Sequence, residues 1–94
     1  MEITESEILN QALIYAVRID NYEIVKLLLE NGADVHAKND EAFMYSATIA
    51  HYKFIKLLLE NGANVHMGND FAFKWSARYG SLEMVKLMIN SIFY

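Results

Sequence analysis

The sequence predicts an all-α fold, a short stack of helix pairs, and three observations carry that expectation. The first is that the 94-residue chain repeats itself. Its stretch "YEIVKLLLENGADVHAKND" at 22–40 matches "YKFIKLLLENGANVHMGND" at 52–70 in 13 of 19 positions, thirty residues apart. A third copy keeps the register, with Val85, Lys86 and Leu87 aligned on Val25, Lys26 and Leu27 and on Ile55, Lys56 and Leu57. A period of this size marks a stacked array, in which a unit cannot cover its own apolar face and its neighbours do so. The second observation is that each unit holds two short apolar patterns of helical spacing. The third is punctuation: Gly32 and Gly62 close the second pattern, and no proline occurs anywhere.

The elements follow in order. The segment "TESEILNQAL" can open a helix capped by Thr4 or Ser6, its acidic first turn suiting the positive end of the helix dipole. The first helix of each unit is written "ALIYAVRI" (12–19), "AFMYSATI" (42–49) and "AFKWSARY" (72–79). In the middle one, Ala42, Phe43, Ser46, Ala47 and Ala50 share a face, with small residues that let a neighbour approach closely. Asp40 and Asp70 precede these helices and are expected to cap them by accepting free backbone N–H groups. The second helix carries Phe54, Ile55, Leu57, Leu58 and Leu59, too apolar for a lone surface helix, so it must be covered on more than one side. Gly32 and Gly62 stand where a left-handed residue ends a helix without a Cβ penalty. Between paired helices the turn position reads Asp20, Ala50 and Gly80. Glycine fits a left-handed backbone there and aspartate tolerates it, but Ala50 would cost ~1–2 kcal/mol.

Composition removes several functional classes. Twelve acidic and eight basic residues, net charge −4, are spread along the chain without a Lys/Arg cluster, so no nucleic-acid partner is expected. The chain has no cysteine, hence no disulfide framework, thiolate metal site or cysteine nucleophile. The acidic start "MEITESE" is unlike a secretory or transit peptide, and no apolar run approaches the roughly 18 residues of a membrane helix. The expectation is a soluble intracellular protein without a membrane partner, located in the cytoplasm. Ser46 and Ser76 recur as small packing residues with no His–Asp set, and "NG" and "GND" are repeat junctions rather than phosphate loops. No catalytic residue, metal or cofactor is therefore expected.

The histidines are the residues to test as metal ligands. His36 and His66 are in register, but equivalent positions of stacked helical units lie roughly 8–10 Å apart. Sharing one zinc would need a nitrogen of each within about 2.1 Å of the metal. The expectation is that they bond backbone across the repeat, and that His51, in an inter-helix turn, is solvated.

A helix–turn–helix–loop unit ending in "LLLENGADVHA", with "GA-[DN]-V" repeated in register, resembles the ankyrin repeat. The resemblance spans about residues 8–93 and implies a single domain with units at about 8–37, 38–67 and 68–94, the first and last being atypical caps. It departs from the family in two ways. The unit is 30 residues rather than 33, and the usual Thr-Pro-Leu-His opening reads Glu41-Ala42-Phe43-Met44 and Phe71-Ala72-Phe73-Lys74. The missing three residues should shorten the projecting finger, and such trimmed repeats are similar to those of large DNA viruses, which would place the protein in the host cytoplasm.

The resemblance implies a non-catalytic module or scaffold that binds an unidentified protein or peptide on its concave face. The residues expected to form that face are a ladder. Tyr15, Tyr45 and Trp75 share one repeat position, and Ile19, Ile49 and Tyr79 lie four residues on, on the same helix side. Family members commonly carry polar residues at the second position, near the concave surface. Arg18, Thr48 and Arg78 flank the ladder with Lys74 beside it, and aromatics and arginine are enriched at binding hot spots. Two readings stay open for Tyr15, Tyr45 and Trp75, which the family also uses as core. Loop residues Lys38, Met67 and Asn69 are secondary candidates. The apolar tail Ile92, Phe93 and Tyr94 either folds back as a cap, frays, or joins copies into a homo-oligomer through the C-terminal end. That last possibility is the alternative, structural function.

Overall fold

The computed structural model describes residues 2–79 and 81–93. Among them the chain forms six helices and no strand: α1 (Glu5–Arg18), α2 (Tyr22–Glu30), α3 (Ala37–Thr48), α4 (Tyr52–Glu60), α5 (Met67–Tyr79) and α6 (Leu82–Phe93). The all-α stack of helix pairs is as expected. Within each unit the two helices pack on one another, α1 on α2, α3 on α4 and α5 on α6. Units then stack so that α1, α3 and α5 form one layer and α2, α4 and α6 a second. The result is elongated, 43 × 24 × 22 Å.

The core lies between the layers. Leu13, Val17, Val25, Phe43, Phe54, Ile55, Leu58 and Met88 are fully buried there. Leu57 is also buried and Leu59 partly so, which places the second helices as their composition demands. Ser46 and Ser76 are buried where units meet, and each hydroxyl donates to the carbonyl one turn back, on Ala42 and Ala72. Small side chains at these positions let the first helices approach, and the back-bonding leaves no polar orphan.

Thr4 opens α1, its Oγ1 accepting the Glu7 N–H at 3.1 Å, with Glu5 and Glu7 in the first turn. The turns inside the units reuse one backbone geometry. Asp20 (φ 61°) and Asn21 donate their N–H groups to the Val17 and Ala16 carbonyls; Ala50 (φ 53°) and His51 do the same to Ala47 and Ser46. Ala50 does adopt the left-handed conformation. Gly80 lies outside the described residues. The next residue caps the second helix: Asn21 Oδ1 accepts from Ile24 N at 3.1 Å, and Ser81 Oγ from Met84 N at 3.3 Å.

His51 fills the same capping place, and here the expectation of a merely solvated ring is corrected. Its Nδ1 accepts from Phe54 N at 3.4 Å, which leaves the ring proton on Nε2. That nitrogen pairs with Asp20 Oδ1 at 2.8 Å, clipping the second unit's turn to the first unit's, and the ring lies 4.1 Å from the Phe54 ring.

Gly32 (φ 95°) and Gly62 (φ 97°) end α2 and α4 as predicted. Gly32 N and Ala33 N donate to the Leu29 and Leu28 carbonyls, and Gly62 N and Ala63 N to those of Leu59 and Leu58. This paired closure satisfies carbonyls that the helix end would otherwise leave free. The equivalent place in the third unit is Ile92. A β-branched residue resists positive φ, so α6 runs three residues further than its counterparts, to Phe93.

The loops between units differ from the expectation. Lys38, Asn39 and Asp40 have φ of 52°, 57° and 59°, and Gly68, Asn69 and Asp70 have 68°, 59° and 62°. Each trio is a left-handed turn placed before the right-handed part of α3 or α5. Asp40 and Asp70 therefore do not cap with their carboxylates. Their Oδ1 atoms instead meet Nδ1 of His36 at 2.6 Å and of His66 at 2.5 Å. The histidines thus bond a side chain in their own loop, not backbone across the repeat. Left-handed residues other than glycine cost roughly 1–2 kcal/mol each, and these His–Asp bonds tie the turn closed against that cost. Gly68 answers a second constraint, because a Cβ there would stand 2.8 Å from Met44 Cε of the preceding unit.

Candidate functional site

The ladder residues all lie at the C-terminal ends of the first helices, and their exposure depends on position within the stack. Ile19, Ile49 and Tyr79 are 68%, 46% and 58% exposed on the side of the first-helix layer away from the core. Ile19 and Ile49 are the residues that close α1 and α3. Three large apolar side chains at one repeat position thus remain in solvent.

The other ladder position divides. Tyr45 and Trp75 are half-buried, whereas Tyr15 is 65% exposed. The preceding unit makes that difference. The Arg18 guanidinium lies over the Tyr45 ring, 5.4 Å from its centre, and Arg18 Nη2 also bonds Glu41 Oε2 at 3.1 Å. Trp75 Nε1 donates to the Thr48 carbonyl at 3.0 Å. Tyr15, in the first of the three units, is not covered in this way.

Around α5 the aromatics form a continuous run. Phe71 stacks on Trp75 with centres 5.3 Å apart, and Trp75 meets Tyr79 at 4.5 Å. Arg78 Nε donates to the Tyr79 hydroxyl at 2.7 Å, holding both side chains. Arg18, Thr48 and Arg78 are exposed. Lys74 is exposed too, but it shares its repeat position with Ile14 and Met44, which face the following unit. Lys74 thus lies mid-way along α5, on the side that Ile14 and Met44 turn toward the following unit in α1 and α3.

A cavity of about 350 Å³ opens where the first two units meet, lined by Gln11, Ile14, Tyr15, Arg18, Lys38 and Glu41. Lys38 and Glu41 join the strip only through the fold. The spacing of Arg18 and Glu41, 23 residues apart, carried no helical signal, although a thirty-residue offset between facing units would have suggested the pair.

Of the tail, Ile92 is half-buried and packs on the core, Phe93 is 73% exposed, and Tyr94 lies outside the described residues. Among the described residues no group of three or more His, Asp and Glu gathers as a metal-binding cluster, and no helix is long and apolar enough to cross a membrane.

The family model for ankyrin repeats (3 copies) matches residues 13–93. The chain belongs to the ankyrin-repeat family. No curated protein and no solved structure matches it significantly. Ankyrin repeats are in general protein–protein interaction modules and are typically non-enzymatic.

Proposed function

We propose that this ankyrin-repeat protein is a non-catalytic recognition module that binds a protein or peptide along the outer, concave face of α1, α3 and α5. One observation carries the reading: Ile19, Ile49 and Tyr79 stay 68%, 46% and 58% exposed while Leu13, Val17, Phe43, Ala47 and Ala72 of the same helices are buried. Tyr45 and Trp75 support them from beneath, Arg18, Thr48 and Arg78 supply polar contacts, and Lys74 contributes charge at one edge. The repeat-to-repeat bonds from Arg18 to Glu41 and Trp75 to Thr48 pre-order the strip, so less side-chain freedom is lost on docking.

The thirty-residue period supports grouping these repeats with the trimmed ankyrin repeats of large DNA viruses. The cysteine-free composition suits a reducing compartment, the cytoplasm, or the host cytoplasm for a viral protein.

A pull-down from lysate of the source cells tests the assignment, with the parent beside an Ile49→Ala/Arg78→Ala/Tyr79→Ala variant shown by circular dichroism to be folded. A protein retained by the parent and lost by the variant is the expected result. Equal retention by both would move the site away from this face.

A further inference from the structure

The two joints between units are built alike and finished differently. At the first, where α1 meets the start of α3, the cavity of about 350 Å³ has Arg18, Lys38 and Glu41 in its wall. Thirty residues on, the places of Arg18, Lys38 and Glu41 are taken by Thr48, Gly68 and Phe71, and that of Ile14 by Met44. A Cβ on Gly68 would lie 2.8 Å from Met44 Cε and 3.4 Å from Phe71 Cβ, and Phe71 stacks on Trp75. The second joint is therefore apolar and filled at this level, while the first keeps three charged groups around open space.

Those charges do not cancel. Arg18 Nη2 holds Glu41 Oε2 at 3.1 Å and its guanidinium lies over the Tyr45 ring, so Glu41 is balanced and Arg18 is fixed in place. Only one of the five N–H donors of that guanidinium meets Glu41. Lys38 is exposed and enters no ion pair among the described residues. The neighbouring carboxylates are engaged within the chain. Glu7 shares an adjoining cavity of about 190 Å³ with Lys38, but its Oε1 accepts from the Thr4 hydroxyl at 3.2 Å. Asp40 is bonded to His36, and Asp20 to His51. One positive charge is left over in this wall, in a chain whose net charge is −4.

We propose that the partner is a peptide segment bearing an aspartate or glutamate, whose carboxylate enters the first-joint cavity between Lys38 and the remaining N–H groups of Arg18. The inference rests on the recognition strip proposed above and names what that strip selects at its first joint. Tyr15 and Arg18 belong to both strip and cavity, so a chain lying along the strip passes the cavity on its way to Ile49. Stacked helices recur roughly every 8–10 Å, and an extended chain advances ~3.3 Å per residue. An apolar side chain about three positions from the acidic one thus reaches Ile49. A single carboxylate matches the one surplus charge, whereas a phosphate dianion would be repelled by Glu41 in the same wall.

Short random peptides displayed on phage and selected on the immobilised chain supply the probe. A selected peptide is then synthesised and titrated, with Trp75, the sole tryptophan, reporting from the strip. Lys38→Gln removes the charge without breaking an ion pair, and circular dichroism checks that the variant is folded. The expected peptides share an Asp or Glu. Binding should weaken about tenfold when Lys38→Gln is made or when the peptide's carboxylate becomes an amide. Making both changes should cost little more than either alone, because the two groups act on one another. Peptides that fail to bind the Ile49→Ala/Arg78→Ala/Tyr79→Ala variant but are indifferent to Lys38→Gln would overturn this inference and leave the strip standing. Losses that multiply in the double change would do the same, since the carboxylate would then sit elsewhere. Peptides indifferent to the strip variant would overturn both readings, as would a selection that retains no peptide.

Discussion

Helices α2 and α4 read YEIVKLLLE and YKFIKLLLE, end in the same glycine closure, and yet live in different environments. In α4, Phe54, Ile55, Leu57 and Leu58 are all buried; in α2 only Val25 and Leu29 are. The repeated leucine shows it most plainly, 8% exposed as Leu57 and 57% as Leu27. Nothing local distinguishes the two. One has a unit on both sides and the other on one side only. In a stacked array a residue type selects a place within the unit, and the unit's place in the stack decides whether that residue is core or surface.

The largest effect that would break this comparison is truncation of the two leucines. Leu57→Ala should cost ~2–5 kcal/mol, as for a buried leucine in a close-packed core. Leu27→Ala should cost about 1 kcal/mol or less, near the range of surface substitutions. Urea unfolding followed by circular dichroism measures both, and equal losses would refute the positional account.

The helix ends offer the next test. Gly62→Val should destabilise by about 2 kcal/mol through backbone strain, since φ is 97° and the space around an added Cβ is open. A neutral result in the same unfolding assay would mean that the strained φ is not what selects glycine there. Smaller and opposite in sign is Ala50→Gly, which should stabilise by about 1 kcal/mol by relieving a left-handed alanine. A loss of stability on thermal melting would show that the Ala50 methyl packs more than it strains.

These contrasts explain what could be read from the sequence. The period, the helix pairs, Gly32, Gly62 and Thr4 were legible because each rests on local chemistry repeated in register. The loops were not. Asp40 and Asp70 have the composition of caps, but the left-handed turn in which each stands hands its carboxylate to His36 or His66. His51 was misread because its partner, Asp20, lies 31 residues away and only stacking brings the two together.

The strip shows the same limit. The sequence named Ile19, Ile49 and Tyr79 as one row, and its helical spacing put them on one side of the first helices. Whether Tyr15, Tyr45 and Trp75 were core or surface could not be read from their shared position. The structure answers differently for Tyr15 than for the two aromatics covered by Arg18 and by the Thr48 carbonyl. Leu27 escaped notice for the same reason, because its counterpart Leu57 looks like core in any single unit.

The central claim is that the ladder is surplus to the core and therefore available to a partner. The unfolding free energy of an Ile19→Ala/Ile49→Ala variant tests it most directly. With both side chains largely or half in solvent, the loss should be no more than about 2 kcal/mol for the pair, on the scale of partial apolar burial. A loss beyond about 4 kcal/mol, the cost of two core isoleucines, would put the ladder inside the frame and contradict the account.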